Sequence, residues 1–312
     1  MKCGIKDYIK LIRPKHYLKN ILIFLPLIFS GHFFNIELLK ISLFGFFSFC
    51  MAASTIYIVN DIKDREKDKM HDIKKNRPIA SGKISVKKAV VLSIITFIIA
   101  MFFQFLTQKI FGFIFVVLYV IMNIAYSFKL KDIPLIDISI IVIGFLIRVL
   151  YGAYLINVEV SNWLLLTVIS ISFYLALGKR RNEIKKNGSN SRKVLKYYTV
   201  DFLDKNMYLS LTLALTFYSL WCNDNVNEKL IWTVPLAIMT CMKYSMIVED
   251  DSYGDPVDVI LSNISLLILL FISLLSLTTI VKSESVNIDD LVKSNINNEE
   301  VLYLEITSSD NI

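Results

Sequence analysis

With 312 residues, 55% of them hydrophobic, and a mean hydropathy of +0.56, the chain is far too apolar for a soluble domain and reads as an integral membrane protein. Its formal net charge of +7 sits in loops between apolar runs and not on a continuous patch, which argues against nucleic acid and for an anionic ligand or an anionic membrane surface. Cys3, Cys50, Cys222 and Cys241 form no CxxC pair, and at least Cys50 and Cys241 lie in apolar runs, so neither a disulfide framework nor a zinc site is indicated.

The N-terminus, MKCGIKDYIKLIRPKHYLKN, is too charged for the apolar core of a signal peptide, so the first membrane segment is expected to be retained. At about 20 apolar residues per span, helices are expected at 18–34, 41–60, 88–106, 110–128, 134–156, 162–178, 207–222, 230–247 and 257–281. The expected fold is therefore all-α, a polytopic bundle of nine transmembrane helices. Lys and Arg crowd the N-terminus and the loops after the second, fourth and sixth helices, whereas the opposite side carries only Lys40, Lys109, Lys229, Lys282 and Lys293. That asymmetry places the N-terminus on the cytoplasmic side of the inner membrane. Residues 1–282 then form the membrane domain. Residues 283–312, polar, Asn-rich and acidic, read as a flexible extracytoplasmic tail.

The loop after the second helix, YIVNDIKDREKDKMHDIKKNRPIASGKIS from Tyr57 to Ser85, is dense in both signs of charge. If that helix continues, Asn60, Asp64 and Asp68 recur at i, i+4 and i+8, and Asp61 is three residues before Asp64, so the four share one broad face. Like charges so arranged repel unless a cation sits among them. Hard oxygen ligands at that spacing suit Mg2+, which keeps several waters and is completed by phosphate oxygens. Tyr57 is one turn earlier on the same side. The loop then turns cationic at Lys74, Lys75 and Arg77, and an acidic metal face beside cations fits a diphosphate. A solvated helix end with alternating charges is the plainer alternative, and Glu66, Asp72, Lys63, Lys67, Lys87 and Lys88 are left to it.

Further along, AYSFKLKDIPLIDISIIVIGFLIRVLYGAY sets Tyr126, Lys131 and Asp137 at a Y-x4-K-x5-D spacing, with Arg148 three turns on. An arginine inside an apolar span is costly and marks a candidate functional group. Its structural alternative is an ion pair with Asp137. In LGKRRNEIKKNG, helix-dipole and positive-inside effects account for cations such as Arg180 and Arg181. Lys179, nearest the membrane, is the candidate binder. The first loop adds Arg13, Lys15 and Lys19. His16, His32 and His71 lack metal-ligand spacing, and no Ser-His-Asp set, Walker A loop or GxGxxG occurs.

Asn60, Asp61, Asp64 and Asp68 resemble the N-D-x-x-D-x-x-x-D hallmark of the UbiA superfamily of intramembrane transferases. RPKHYLKN, NRPIASGKIS, YSFKLKDIPLIDI, GFLIRVLYGAY and KRRNE are similar to its decaprenyl-phosphate phosphoribosyltransferase branch. The likeness extends over nearly all of residues 10 to 281. YGDPVDVILSN also looks familial, although Asn263 stands where an acid is expected. The resemblance implies a nine-helix bundle with a Mg2+-dependent site at its cytoplasmic end, and a role in cell-wall biogenesis. It also implies a 5-phosphoribosyl 1-diphosphate donor and a polyprenyl phosphate acceptor in the bilayer. Asp61, Asp64, Asp68 and Lys131 would then stand at the reacting centre, with Asn60 completing the metal set. Lys19, Tyr57, Lys74 and Arg77 would hold the donor, and Lys131, Arg148 and Lys179 the lipid phosphate, with Tyr126 and Asp137 nearby in the substrate site. The nucleophile is already anionic, so no strong base is required. A prenyltransferase using a prenyl diphosphate and a lipophilic acceptor is the alternative enzyme, and an anion transporter the alternative non-enzyme. A homo-oligomer is compatible with either.

Overall fold

The computed structural model describes residues 4–70, 74–188, 192–250 and 255–281. The expected tail at 283–312, with Cys3, His71 and Asp72, lies outside them. Among the described residues the structure is helical throughout. In chain order come α1 (Ile5–Ile12), a 3-10 segment (Pro14–Phe24), α2 (Leu25–Phe29), α3 (Ile36–Lys63), α4 (Arg65–Lys69), α5 (Val86–Leu106) and α6 (Gly112–Phe128). There follow α7 (Ile136–Ile156), α8 (Asn162–Asn187), α9 (Val200–Asn223), α10 (Thr233–Glu249), α11 (Pro256–Ser262) and α12 (Ile264–Val281).

The apolar passages fall where the sequence sets them, but nine span-length α-helices are not what forms. Six helices among the described residues are long and apolar enough to cross a membrane: Ile36–Lys63, Val86–Leu106, Ile136–Ile156, Asn162–Lys186, Glu228–Glu249 and Ile264–Val281. α6 is apolar but shorter, and α9 is long but opens on Asp201, Asp204 and Lys205. The passage expected at 18–34 is broken. Pro14 opens it after Arg13 in left-handed backbone at φ 53°, and Pro26 restarts it as α2, because proline donates no hydrogen bond and fixes its own φ. The passage expected at 257–281 is interrupted at Asn263, which is extended. Its side chain caps α12, accepting from Leu266 N at 3.1 Å and Ser265 Oγ at 2.7 Å, a role that suits asparagine.

Irregular backbone at membrane depth is tolerated only where protein surrounds it. The 3-10 segment meets that condition, with Asn20 and Ile23 fully buried, as is Leu27 in α2 after it. α7 lies close enough that a Cβ at Gly152 would stand 2.1 Å from the Ile23 carbonyl oxygen. Behind this contact, Phe49 packs between Tyr119 at 5.1 Å and Tyr151 at 4.6 Å, joining α3, α6 and α7 around a core with Ala52, Ile56, Val116 and Leu155. The outer face of α5, Ile94, Ile98, Phe102 and Phe105, is exposed and apolar, as a lipid-facing stripe should be.

Gly152→Ala is expected to destabilise by about 1–3 kcal/mol through overpacking, read as a lower thermal unfolding midpoint in detergent. Gly144→Ala, whose added carbon would be 3.5 Å from its nearest neighbour, should stay near the wild-type midpoint.

Candidate functional site

Three charged clusters gather at one end of the bundle. The first lies where α3 breaks into α4. The Asp64 amide donates to the Asn60 carbonyl at 2.9 Å and the Asp68 amide to the Asp64 carbonyl at 2.8 Å, so helical spacing survives the break and keeps Asn60, Asp61, Asp64 and Asp68 on one side. Asp61 and Asp68 are buried. The cation that their repulsion demands is Arg77, whose Nη1 donates to Asp61 at 3.0 Å and to Asp68 at 2.7 Å. Arg13 adds a bond to the same Asp61 oxygen at 2.5 Å, and Lys131 meets both oxygens of Asp64 at 3.2 and 3.3 Å. Lys74 is exposed at the rim, within electrostatic reach of Arg77 and Asp68.

In this arrangement no three acidic, His or Cys side chains converge to hold an ion among the described residues. The donor set still suits a hard cation: these are oxygens, and a guanidinium now stands between Asp61 and Asp68. Opening the face to a metal therefore requires Arg77 to turn outward.

The second cluster joins the 3-10 segment, α8 and the start of α11. Lys19 and Lys179 both bond Asp255 Oδ2, at 3.3 and 2.8 Å. Asp255 also caps α11 through Val257 N at 3.1 Å, and Lys15 reaches Asp258 at 2.5 Å. Burial would raise the Asp255 carboxyl, but the two ammoniums outweigh it and hold it well below the usual carboxylate range. Arg148 stands nearby on α7, almost fully buried. It donates to Asn20 Oδ1 at 2.7 Å, the Gly144 carbonyl at 2.5 Å and the Tyr119 hydroxyl at 2.6 Å, with its guanidinium 4.7 Å from the Tyr119 ring centre. These partners are all neutral. The ion pair with Asp137 that the sequence allowed does not form, because Asp137 is taken by Arg180.

That pairing is the third cluster. Asp137, fully buried, accepts from Arg180 Nε at 2.7 Å and from the Tyr198 hydroxyl at 2.6 Å. Arg180 also reaches Tyr126 at 2.9 Å and Glu183 at 2.8 Å, while the Tyr198 hydroxyl accepts from Leu135 N at 2.7 Å, pinning a residue with φ 64°. Tyr126 and Asp137 thus meet at Arg180, and Lys131 turns away to Asp64. The Y-x4-K-x5-D spacing is split between two clusters, and its Asp has both oxygens committed. Arg180 and Arg181 are buried and ion-paired, Arg181 to Asp204. They lie inside α8, which runs on to Asn187, so ion pairing within the bundle and not the helix end matches their charge.

Sequence reasoning named Arg13 only as a cation of the first loop and left out Asp255, Asn20 and His16 as site groups. The Asp-Pro pair at 255–256 was a readable helix start, but nothing in the sequence joined it to Lys19, more than two hundred residues earlier.

The model of the UbiA prenyltransferase family matches residues 21–267. The chain is 31% identical over 268 residues to a decaprenyl-phosphate phosphoribosyltransferase of Corynebacterium glutamicum, covering 82% of this chain and 80% of that one. It is 30% identical over 284 residues to the protein of that name from Mycolicibacterium smegmatis, covering 83% and 87%. Its fold is similar to that of a UbiA homolog from Archaeoglobus fulgidus bound to GPP and Mg2+. The TM-score is 0.69 at 17% identity, over 89% of this chain and 99% of that one.

Arg180→Leu would strand the Asp137 carboxylate without its cation, a loss of about 3–5 kcal/mol. The expected outcome is a sharply lower thermal midpoint and little folded protein in detergent. A variant of unchanged stability would show the knot to be dispensable.

Proposed function

The chain belongs to the UbiA prenyltransferase family, and within it we propose a phosphoribosyltransferase: 5-phosphoribosyl passes from 5-phosphoribosyl 1-diphosphate to a polyprenyl phosphate, releasing diphosphate. The observation that carries this reading is the two-ended cationic site. A prenyl diphosphate reaction needs one place for a diphosphate. Here Arg77, Arg13 and Lys131 surround the acidic motif, and Lys19, Lys179 and Arg148 form a separate group. Among the described residues Arg148 has only neutral partners. A buried guanidinium without a counter-charge is costly, and a phosphate would supply one. Relatives named decaprenyl-phosphate phosphoribosyltransferase, near 30% identity over four-fifths of the chain, favour the same choice.

In this reading the multi-pass domain, residues 1–282, lies in the cytoplasmic membrane with its N-terminus and site on the cytoplasmic side, where a soluble anionic sugar can meet a lipid phosphate. Asn60, Asp64 and Asp68, with Asp61 near, would hold Mg2+. When bound, the ion would supply positive charge that neutralises charge gathering on the leaving group. Arg77 and Lys74 take diphosphate oxygens, and Lys131, already on Asp64, belongs with this end. Lys19 holds the 5-phosphate. Arg148 and Lys179 hold the acceptor phosphate. An acceptor oxygen then bonds to the ribose C1 as the C1–O bond to diphosphate breaks, the electron pair leaving with diphosphate. Because the nucleophile is an anion at neutral pH, positioning and electrostatic stabilisation suffice. Tyr126 and Asp137 drop out of substrate binding in this scheme and serve the structure through Arg180.

Purified protein in detergent, given labelled phosphoribosyl diphosphate and polyprenyl phosphate, should move label into lipid only when a divalent cation is present. Chelation should abolish transfer. Prenyl transfer from a prenyl diphosphate to a lipophilic acceptor, with no phosphoribosyl transfer, would contradict the proposal. Arg148→Ala should raise the KM for the lipid phosphate by about tenfold or more, the scale of a lost charge-assisted hydrogen bond.

A further inference from the structure

Between the two cationic ends lie His16, which no reading above has used, and Tyr57, which the resemblance sets among the donor-binding residues without saying which group it meets. The rings of His16 and Tyr57 are 5.3 Å apart, and the Arg13 guanidinium is 5.1 Å from the Tyr57 ring centre. His16 Nδ1 is buried with no hydrogen-bond partner. The Tyr57 hydroxyl makes no hydrogen bond among the described residues but, unlike Nδ1, is not shut off from solvent. A buried polar atom such as His16 Nδ1 is rarely left unpaired without a reason.

The surroundings narrow that reason. The charged groups acting on His16 are Lys19, Asp255, Arg13 and Lys179, and none of them bonds to it. Burial, with Lys19 alongside, pushes its pKa down to about 4, so the ring is neutral at physiological pH. A neutral imidazole carries one N–H donor and one acceptor nitrogen, and it is the acceptor that sets it apart from its neighbours. Lys19, Lys179, Arg13, Arg77 and Arg148 offer only donors, which suit phosphate oxygens, and Asp61, Asp68 and Asp255 are already engaged by those cations. An acceptor among so many donors is of no use to a phosphate. It is of use to a hydroxyl.

We propose that His16 and Tyr57 form a hydroxyl-reading subsite for the sugar ring of the donor, held between its two anionic ends. His16 accepts a hydrogen bond from one ribose hydroxyl and the Tyr57 hydroxyl bonds to another. The subsite rests on the phosphoribosyl diphosphate reading given above. It also bears on donor choice, since a prenyl chain in the same place would leave both polar groups unpaired, and sites built to bond a hydroxyl reject analogues that lack it.

The test compares wild type with His16→Phe, His16→Gln and Tyr57→Phe in the detergent assay, using phosphoribosyl diphosphate and its deoxyribosyl analogue. Loss of one uncharged hydrogen bond is worth about tenfold. His16→Phe should raise the donor KM by that factor, leave the lipid-phosphate KM unchanged and flatten the preference for ribosyl over deoxyribosyl donor. His16→Gln, which keeps an acceptor, should restore much of the preference. Tyr57→Phe removes only an oxygen and should weaken donor binding without lowering the thermal midpoint, which guards against a folding artefact at position 16. Unchanged donor KM and preference in both Phe variants would overturn the subsite while leaving the function intact. No turnover of the sugar donor by wild type would overturn both.

Discussion

Charge taken below a membrane surface has to be matched within the protein, and that constraint organises the charged end of this bundle. Every acidic residue at the site is met by a cation from a different element: Asp61 by Arg13 and Arg77, Asp64 by Lys131, Asp255 by Lys19 and Lys179, Asp137 by Arg180. The ion pairs therefore join the N-terminal segment, the α3–α4 break, the α6–α7 connection, α8 and the start of α11 into one end of the bundle. Breaking such a pair costs more than the pair contributes, because the remaining charge stays buried. Arg148 departs from the pattern, its charge spread over an amide, a carbonyl and a phenol. A group that needs an anion and is given none by the described residues is well suited to an anionic substrate.

The broken first passage serves the same end. A regular helix there would carry Lys19 and Asn20 on a fixed 3.6-residue pitch. Instead, the 3-10 run between Pro14 and Pro26 lies against α7, where Gly152 lets backbone meet backbone. That contact brings Asn20 to Arg148, and the same run carries Lys19 to Asp255. Site and scaffold depend here on one close approach.

Much of this was legible in the sequence, and the limits have physical causes. Hydropathy located the apolar passages, because about 20 apolar residues have few other uses. It could not separate a continuous helix from a 3-10 segment ending in a short α-helix, since both bury the same residues. The spacing of Asn60, Asp61, Asp64 and Asp68 revealed a shared face, because helical period is a local property. The partners of those residues are set by tertiary packing. Asp137 has an arginine on its own helix, yet it pairs with Arg180 on the next one, and no periodicity distinguishes the two. Asp255 shows the same limit at longer range. Its helix-capping role follows from the adjacent proline, whereas its hold on Lys19 and Lys179 follows from how the last helices close on the first segment.

Family membership narrows the chemistry to a transferase reaction, and the distribution of cations supports the sugar diphosphate proposed above over a prenyl diphosphate. The most direct measurement is competition at equilibrium. Radiolabelled phosphoribosyl diphosphate is bound to the detergent-solubilised protein with Mg2+, and unlabelled phosphoribosyl diphosphate, inorganic diphosphate and geranyl diphosphate are titrated against it. The account predicts that the sugar diphosphate competes most tightly, inorganic diphosphate more weakly because it spans one end only, and geranyl diphosphate no better than inorganic diphosphate. Saturable binding of geranyl diphosphate, tighter than that of the sugar donor, would contradict it.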